Sequence, residues 1–487
     1  MISSALRSPA GLFPAVSLRG TCEYLILSLY FYFPVSMPLR YAAHAVLDPQ
    51  GRWSFLGYPE TIAIPIALVL AFATARQERG GTLRRIDSGF VRLLWFAGAY
   101  AAAVAASSLL QGSNPDFAIR KIGMEWILPI LLAIAFRWIW TPDLDLAVRR
   151  ALVNGTLLLA AVALCTYLLS FGVPRSFQEL IFTNRTWLIW KGMKGQVSFG
   201  EIPFGGVNPL AAHVATVWCI VLAALGSSTT RLCSLLVGIP LMLVELLCYS
   251  RGVLLFLVGA AAATATVLPE ARRRARAVAV LALPLVLVVG TICLGGTSYW
   301  LAQAEARPGS SAASRILQWL GLASVQPVSR GELPPGAMAG YGLSQEQARV
   351  LNERLGGPTR RLLLGYGLGH YGLLRGLVPD SGSHNIFLDA LIEGGVVGLA
   401  LFLGFFGFGL WRRWRAWRET RVLDPAARAA AWSRLLALAS IVVIGVLVDY
   451  RLENLGTMTG SAVLWLLLVA PVPAFSGESF SAGLVGA

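Results

Sequence analysis

The chain has 487 residues, of which 56% are hydrophobic and 13% are charged, and its mean hydropathy is +0.66. Soluble domains carry about 25% charged residues, so this composition excludes an ordinary soluble fold and favours a polytopic membrane protein. The net charge of +15 would indicate a nucleic-acid partner in a soluble protein, but here most arginines fall in short loops between apolar runs. We therefore expect the lipid bilayer as a partner and no nucleic acid.

Apolar runs of roughly 18 or more residues recur along the whole sequence, and each is long enough for a helix to cross a bilayer. They predict an all-α protein with about twelve transmembrane helices. The expected spans are 21–39, 58–75, 90–110, 119–140, 151–172, 208–226, 232–250, 251–269, 277–295, 385–410, 433–450 and 458–475. The six cysteines lie in these runs without paired spacing, which predicts buried small side chains instead of disulfides or metal ligands.

The loops between these spans alternate in charge. One set is short and rich in arginine, from Arg76 after the second span to Arg412 and Arg413 after the tenth, and the positive-inside rule predicts that this set is cytoplasmic. An even number of spans then places both termini in the cytoplasm.

Four regions follow from this topology. Spans one to nine form a bundle over 1–295, which includes an outer loop at 173–207. A large, partly helical outer loop fills 296–384, spans ten to twelve fill 385–475, and 476–487 is a cytoplasmic tail. The large loop holds eight arginines and five acidic residues, a balance that suits an anionic headgroup or a diphosphate. A loop that is merely solvated is the alternative.

His384 lies where the large outer loop meets the tenth span, and Asn385 follows it. A neutral imidazole at this boundary can accept a proton from an incoming hydroxyl, because its unperturbed pKa is near working pH. A structural histidine at the interface is the alternative.

Several cations are predicted on the same outer side as His384. Arg251 lies at the hinge between the seventh and eighth spans, where a guanidinium suits a bidentate contact with phosphate or snorkels to headgroups. The other cations that could cradle a diphosphate are Arg120 with Lys121, Arg185, Lys191, Lys194, Arg315 and Arg451.

Glu393 lies nine residues after His384, about 13 Å deeper and on roughly the opposite helix face. This spacing predicts an ion pair or a packing role for Glu393, without direct contact to the histidine. Gly394, Gly395 and Gly398 predict a small-residue face for close helix packing. A separate run, Gly365-Tyr-Gly-Leu-Gly369, lacks the strand–turn–helix context of a nucleotide-binding loop.

The stretch His384-Asn385-Ile-Phe-Leu-x-x-Leu-x-Glu393-x-Gly395-x-x-Gly398-Leu resembles the signature of the O-antigen ligase and O-antigen/exopolysaccharide polymerase superfamily. The resemblance covers roughly residues 175–410. Its upstream pieces are Asn208-Pro-Leu-Ala, Ser250-Arg251-Gly252, Ser314-Arg315 with Trp319, and Leu364-Gly365-Tyr-Gly-Leu-Gly369. Where many members of this superfamily have an arginine shortly before the Asn that opens the sixth span, this chain has Lys191 and Lys194.

The resemblance implies a fold similar to the GT-C class and an inverting glycosyltransferase that uses neither metal nor cofactor. Its site would face the periplasm from the inner membrane of a bacterium. The donor would be an oligosaccharide on undecaprenyl diphosphate, and His384 would activate the acceptor hydroxyl. Arg251 and Arg315 would bind the diphosphate, with the other outer cations in support. Asn385, Glu393 and Asn208 would be supporting residues.

Three functions remain open at this point. A polymerase of lipid-linked repeat units is the leading expectation, with a chain-length regulator or an export protein as a possible partner. A ligase that transfers the glycan to lipid A–core would use the same residues with another acceptor. A transporter of the same lipid would instead need polar residues at the bilayer midplane and helices broken in paired halves.

Overall fold

A computed structural model describes residues 17–47, 58–78, 87–110, 115–171, 207–224, 231–248, 250–267, 363–368, 385–420, 425–447 and 458–470. These residues are helical along almost all of their length. The helices are α1 (Leu18–Leu47), α2 (Glu60–Glu78), α3 (Ser88–Leu110), α4 (Pro115–Ile122), α5 (Leu128–Ile139), α6 (Pro142–Phe171), α7 (Val207–Ala224), α8 (Arg231–Cys248), α9 (Arg251–Val267), α10 (Ile386–Glu419), α11 (Pro425–Leu447) and α12 (Thr459–Val469). A single π-helical turn, Gly123–Ile127, joins α4 to α5 without a break.

Six helical stretches are long and apolar enough to cross a membrane, and they define an all-α, multi-pass membrane protein. They are Glu60–Glu78, Ser88–Leu110, Ala118–Ile139, Pro142–Leu169, Ile386–Glu419 and Ala427–Val446. Shorter apolar helices cover Asn208–Val221, Gly252–Thr264 and Thr459–Val469. The expected ninth span, 277–295, lies outside the described residues, so the count of twelve and the GT-C-like topology stay predictions.

The antiparallel pair of α3 and α10 positions the candidate site. Glycines of α10 lie against side chains of α3, and the residue number rises along α10 as it falls along α3. A Cβ built on Gly394 would lie 3.3 Å from Val104 Cγ2, and one on Gly398 would lie 3.7 Å from Tyr100 Cε2. Close approach of two membrane helices requires small residues at the contact, because lipid offers no hydrophobic driving force for association. Gly394 and Gly398 thus serve as the packing face that the sequence predicts.

The helix α7 is buried along 210–221 and makes polar contacts with two neighbouring helices. His213 Nε2 lies 3.1 Å from the Thr156 hydroxyl on α6, and the Thr216 and Ser440 hydroxyls lie 2.9 Å apart. Such interhelical hydrogen bonds hold membrane helices together. On α8, Glu245 is fully buried, and neither of its carboxylate oxygens has a hydrogen-bond partner among the described residues.

Four cysteines whose side chains the structure describes follow the expectation with one exception. Cys22, Cys219 and Cys248 are buried, whereas Cys165 is exposed on α6. Its exposed position corrects the expectation that every cysteine is a buried side chain.

At one end of the bundle, acidic and basic side chains join several helices. Asp87, which precedes α3, accepts from Arg137 and Arg412 at 2.8 Å each. Asp145 on α6 pairs with Arg149 at 3.0 Å and also with Arg434 of α11. We call Asp87, Asp145 and these arginines the aspartate end.

Two arginines of α10 correct the sequence interpretation of this end. The sequence places Arg412 and Arg413 in a loop after the tenth span, but both lie within α10 and are buried. They donate to the carbonyl of Leu468 at the end of α12, and Arg413 also donates to the carbonyl of Ala470 at 2.5 Å. A helix ends with unpaired carbonyl groups, and these guanidinium groups satisfy them.

Candidate functional site

The predicted site residues divide between described and undescribed parts of the chain. Those outside the described residues are His384, Arg315, Arg185, Lys191, Lys194 and Arg451. Within the described part, Arg251 is the first residue of α9, Arg120 is exposed on α4, and Asn208 is half-buried in the first turn of α7. Asn385 and Glu393 both lie on the first part of α10, and they locate the site that the structure does describe.

Asn385 caps the N-terminus of α10 and is the first described residue of the site. Its backbone is extended (φ −148°, ψ 110°), and its side-chain oxygen accepts hydrogen bonds from the amides of Phe387 at 3.0 Å and Leu388 at 3.2 Å. Asparagine is among the preferred residues at this position, since the first amides of a helix have no partner within the helix. The cap therefore fixes where α10 begins, two residues after His384.

The helix α10 is interrupted at Gly395, where φ is 65° and ψ is −164°. In a continuous helix, the carbonyls of Ile392 and Glu393 would accept from the amides of residues 396 and 397. Here the amides of Tyr366 and Gly367 donate to them instead, at 2.6 Å and 3.0 Å. The segment 363–368 thus supplies the hydrogen bonds that the helix loses, and we call this contact between 363–368 and 392–395 the crossing.

Glycine is required on both sides of the crossing. A Cβ on Gly395 would lie 2.5 Å from Gly365 N and would overlap the Leu363 carbonyl, and a Cβ on Gly365 would lie 2.7 Å from Glu393 O. Gly365 and Gly367 also have positive φ, 74° and 81°, which residues with a Cβ rarely adopt. Two glycine-containing motifs far apart in sequence therefore serve one backbone contact.

A third element holds the crossing from the side of α3. The amide of Leu368 donates to the Ser108 hydroxyl at 3.0 Å, and that hydroxyl donates to the Val104 carbonyl at 2.8 Å. Leu368 and Ser108 are both buried. The segment 363–368 is consequently fixed to α3 as well as to α10.

Lys121 pairs with Glu393 next to the crossing. The Lys121 ammonium nitrogen lies 3.1 Å from Glu393 Oε1 and 3.8 Å from Glu125 Oε1. The exposed fractions of the three side chains are only 15%, 13% and 11% for Lys121, Glu393 and Glu125. Because two carboxylates surround this ammonium, Lys121 is neutralised by protein groups, and the exposed cation of α4 is its neighbour Arg120.

An aromatic layer packs directly below these charges. The ring of Tyr100 lies 4.9 Å from Trp126 and 5.0 Å from Phe402, measured between centroids. Aromatic pairs at these separations contribute beyond their buried area. The three rings are buried, so the ion pair lies against a packed part of the bundle.

The described part of the site holds α10 in place and has few reactive groups. It contains the capped start of α10, the interruption of α10 where amides of 363–368 donate to its carbonyls, and a buried ion pair. In the residues that the structure describes, no group of three or more His, Cys, Asp or Glu side chains could hold a metal ion. The chemistry expected from the sequence rests mainly on residues outside the described part, above all His384, which precedes Asn385 in the chain.

The structure pairs two residues, Lys121 and Glu393, that the sequence interpretation treats separately. The sequence interpretation grouped Lys121 with the outer cations and gave Glu393 an unnamed partner, whereas the two pair with each other. Lone opposite charges near the outer ends of the fourth and tenth spans were a usable signal for this pair. The contact between the Gly365 run and Gly395 had no comparable signal, because backbone hydrogen bonds leave no charge or hydropathy pattern.

No family model matches the chain, and no curated protein matches it. The class that the fold defines is an all-α, multi-pass membrane protein with its best-defined polar site at one end of the α3–α10 pair.

Proposed function

We propose that this protein is an inverting, metal-independent glycosyltransferase. It polymerises oligosaccharide repeat units carried on undecaprenyl diphosphate, on the periplasmic face of a bacterial inner membrane, and both of its termini are cytoplasmic. The crossing is the observation that carries the proposal, because it joins two pieces of the motif resemblance, the run from Leu364 and the run Glu393–Gly395. Pieces of an accidental resemblance have no reason to meet in space, whereas pieces of one site do.

The site supports this chemistry through position. The crossing and the Asn385 cap hold the first part of α10 at both of its ends, and the proposed base, His384, adjoins the cap in the chain. A general base contributes only when its ring is held within hydrogen-bonding reach of the hydroxyl proton. A helix start fixed on both sides provides the rigid attachment that this role requires.

The proposed reaction is a single displacement. The acceptor hydroxyl oxygen attacks the anomeric carbon, and the bond from that carbon to the diphosphate oxygen breaks on the opposite face, which inverts the configuration. The electron pair leaves with undecaprenyl diphosphate, and the hydroxyl proton goes to His384. Arg251 and Arg315 offset the charge of the departing diphosphate, so no metal ion is required. Arg120, which is exposed on α4, would extend this diphosphate site.

The deciding experiment uses purified protein in lipid nanodiscs with labelled lipid-linked repeat units, with and without lipid A–core. We expect a ladder of longer lipid-linked glycans in the absence of lipid A–core. Product only on lipid A–core would identify a ligase. Movement of labelled lipid across proteoliposomes without any glycan product would identify a transporter.

Variants in the same assay test the assigned roles. His384→Ala should abolish the ladder while His44→Ala, which changes a histidine near the end of α1, leaves it intact. Arg251→Ala and Arg315→Ala should raise KM for the donor more than KM for the acceptor, and EDTA should leave the rate unchanged. A full ladder from His384→Ala protein would reject the histidine as the base.

A further inference from the structure

The Lys121–Glu393 pair lies at the one place where α10 is interrupted in the described residues. Glu393 contributes to the site twice: its carbonyl accepts from the Gly367 amide at 3.0 Å, and its carboxylate lies 3.1 Å from Lys121. Its backbone thus binds 363–368, and its side chain binds Lys121 at the end of α4. One residue therefore connects three segments of the chain.

A buried ion pair of this kind fixes the position of a helix more than it stabilises the fold. Two charges that are about 85% buried gain little net stability over apolar residues of similar size, because desolvation offsets most of their attraction. A buried pair does, however, penalise any displacement, since separating the charges leaves both desolvated and unpaired. The pair is consequently suited to fixing the axial position of 386–394 against the neighbouring helix.

The charged groups around the pair define how it can respond. Glu125 faces Lys121 from the π-helical turn at 3.8 Å, and Asp389 lies one turn before Glu393 on α10. Tyr100 of α3 lies within electrostatic reach of both carboxylates of α10 and of Lys121. Lys121 is the basic member of this group, so a phosphate would have to displace carboxylates to reach it.

We propose that Lys121 and Glu393 are positioning residues for glycan transfer. Their ion pair and the crossing set the position of the first part of α10, and through it the position of the adjoining His384. The inference rests on the proposed function and removes Lys121 from the set of diphosphate-binding cations. It assigns the pair a role in kcat instead of a role in binding the donor.

A double-mutant cycle tests the pair. Lys121→Met and Glu393→Gln should each lower kcat about 100-fold, the cost of displacing a catalytic group by about 1 Å, with donor KM unchanged. The double variant should lose no more than Lys121→Met alone, because neutralising both members of the pair leaves neither of them charged opposite a missing partner, and Glu125 loses Lys121 in both variants. A neutral cycle is preferable to a charge swap, since a glutamate at position 121 would face Glu125. Arg150→Met, an exposed cation at the other end of the bundle, is the matched control and should keep kcat.

A second measurement does not depend on catalysis. Hydrogen exchange at the Tyr366 and Gly367 amides reports the crossing directly, and each single variant should speed exchange at least about 10-fold while the double variant restores protection. Additive losses in the cycle, unchanged exchange in the single variants, or a raised donor KM at unchanged kcat would each overturn the inference. If the wild type transfers no glycan but the exchange pattern appears, the proposed function fails while the positioning of α10 stands.

Discussion

The two ends of the α3–α10 pair are joined in different ways. At the aspartate end, side chains make the connection: Asp87 accepts from Arg137 and Arg412 at 2.8 Å each. At the crossing end, backbone groups make the central contact: Tyr366 and Gly367 amides donate to carbonyls of α10, with the Lys121–Glu393 pair beside them. Side-chain contacts fail when one charge is removed, whereas a backbone contact fails when any side chain is added to its glycines. The two ends should therefore be disrupted by different substitutions, the loss of a charge at the aspartate end and the addition of a Cβ to the glycines at the crossing end.

The largest effect is expected at the aspartate end. Asp87→Ala removes a carboxylate partner of two arginines whose side chains are only 6% and 5% exposed, while that of Asp87 is 36% exposed, and it also removes the hydrogen bond to the Phe90 amide at the start of α3. Breaking a buried pair from one side costs about 3–5 kcal/mol. We expect a correspondingly lower midpoint when thermal unfolding in detergent is followed by tryptophan fluorescence.

Asp143→Ala is the matched control for Asp87. Asp143 is exposed in the first turn of α6, near the same end of the bundle, and its replacement should change stability by less than about 0.5 kcal/mol. Equal midpoints for the two alanine variants would show that the aspartate end contributes little, and the contrast between the ends would then be wrong.

The second largest effect is expected at the crossing end, where alanine replaces Gly395. Gly395→Ala forces a backbone that essentially only glycine adopts, at a cost of about 1–3 kcal/mol before any clash with the Leu363 carbonyl. Exchange at the Tyr366 and Gly367 amides should become faster, because the crossing can no longer close. Glycan transfer in the nanodisc assay should fall with it.

Gly407→Ala controls for the presence of a methyl group on α10. A Cβ there would meet nothing within 4 Å, and the position is helical, so alanine should be neutral or stabilise by about 0.5–1 kcal/mol. If both alanine variants behave alike, the requirement for glycine at the crossing is refuted.

The sequence predicts the helices well because hydropathy measures what the bilayer demands. The third span was expected at 90–110 and α3 covers Ser88–Leu110. The tenth was expected to stop at 410, yet α10 continues to Glu419 through Arg412 and Arg413. The apolar run ends where the arginines begin, but the helix continues because these arginines bind carbonyls at the end of α12. Only tertiary contacts determine that extension.

The candidate site was less predictable for a related reason. Lys121 and Glu393 are 272 residues apart, and residue types alone do not identify them as partners. Lys121 was consequently assigned to a phosphate cradle. The glycines of the two motifs were recognised separately, as a flexible run and as a packing face. Their shared function depends on positive φ and on backbone separation, and neither quantity is visible in residue types.

The smallest effect concerns the cap of α10, where a side chain supports the crossing end. Asn385→Ala leaves the Phe387 and Leu388 amides without their acceptor, and loss of such a cap costs about 1 kcal/mol. Exchange at these two amides should quicken while that at Tyr366 and Gly367 stays slow, because the crossing does not depend on the cap. Asn385→Ser should restore protection, since a serine oxygen can accept the same hydrogen bonds. Simultaneous loss of protection at both sites in Asn385→Ala would mean that the crossing depends on the side-chain cap as well, and the crossing end would then be held by side chains as the aspartate end is.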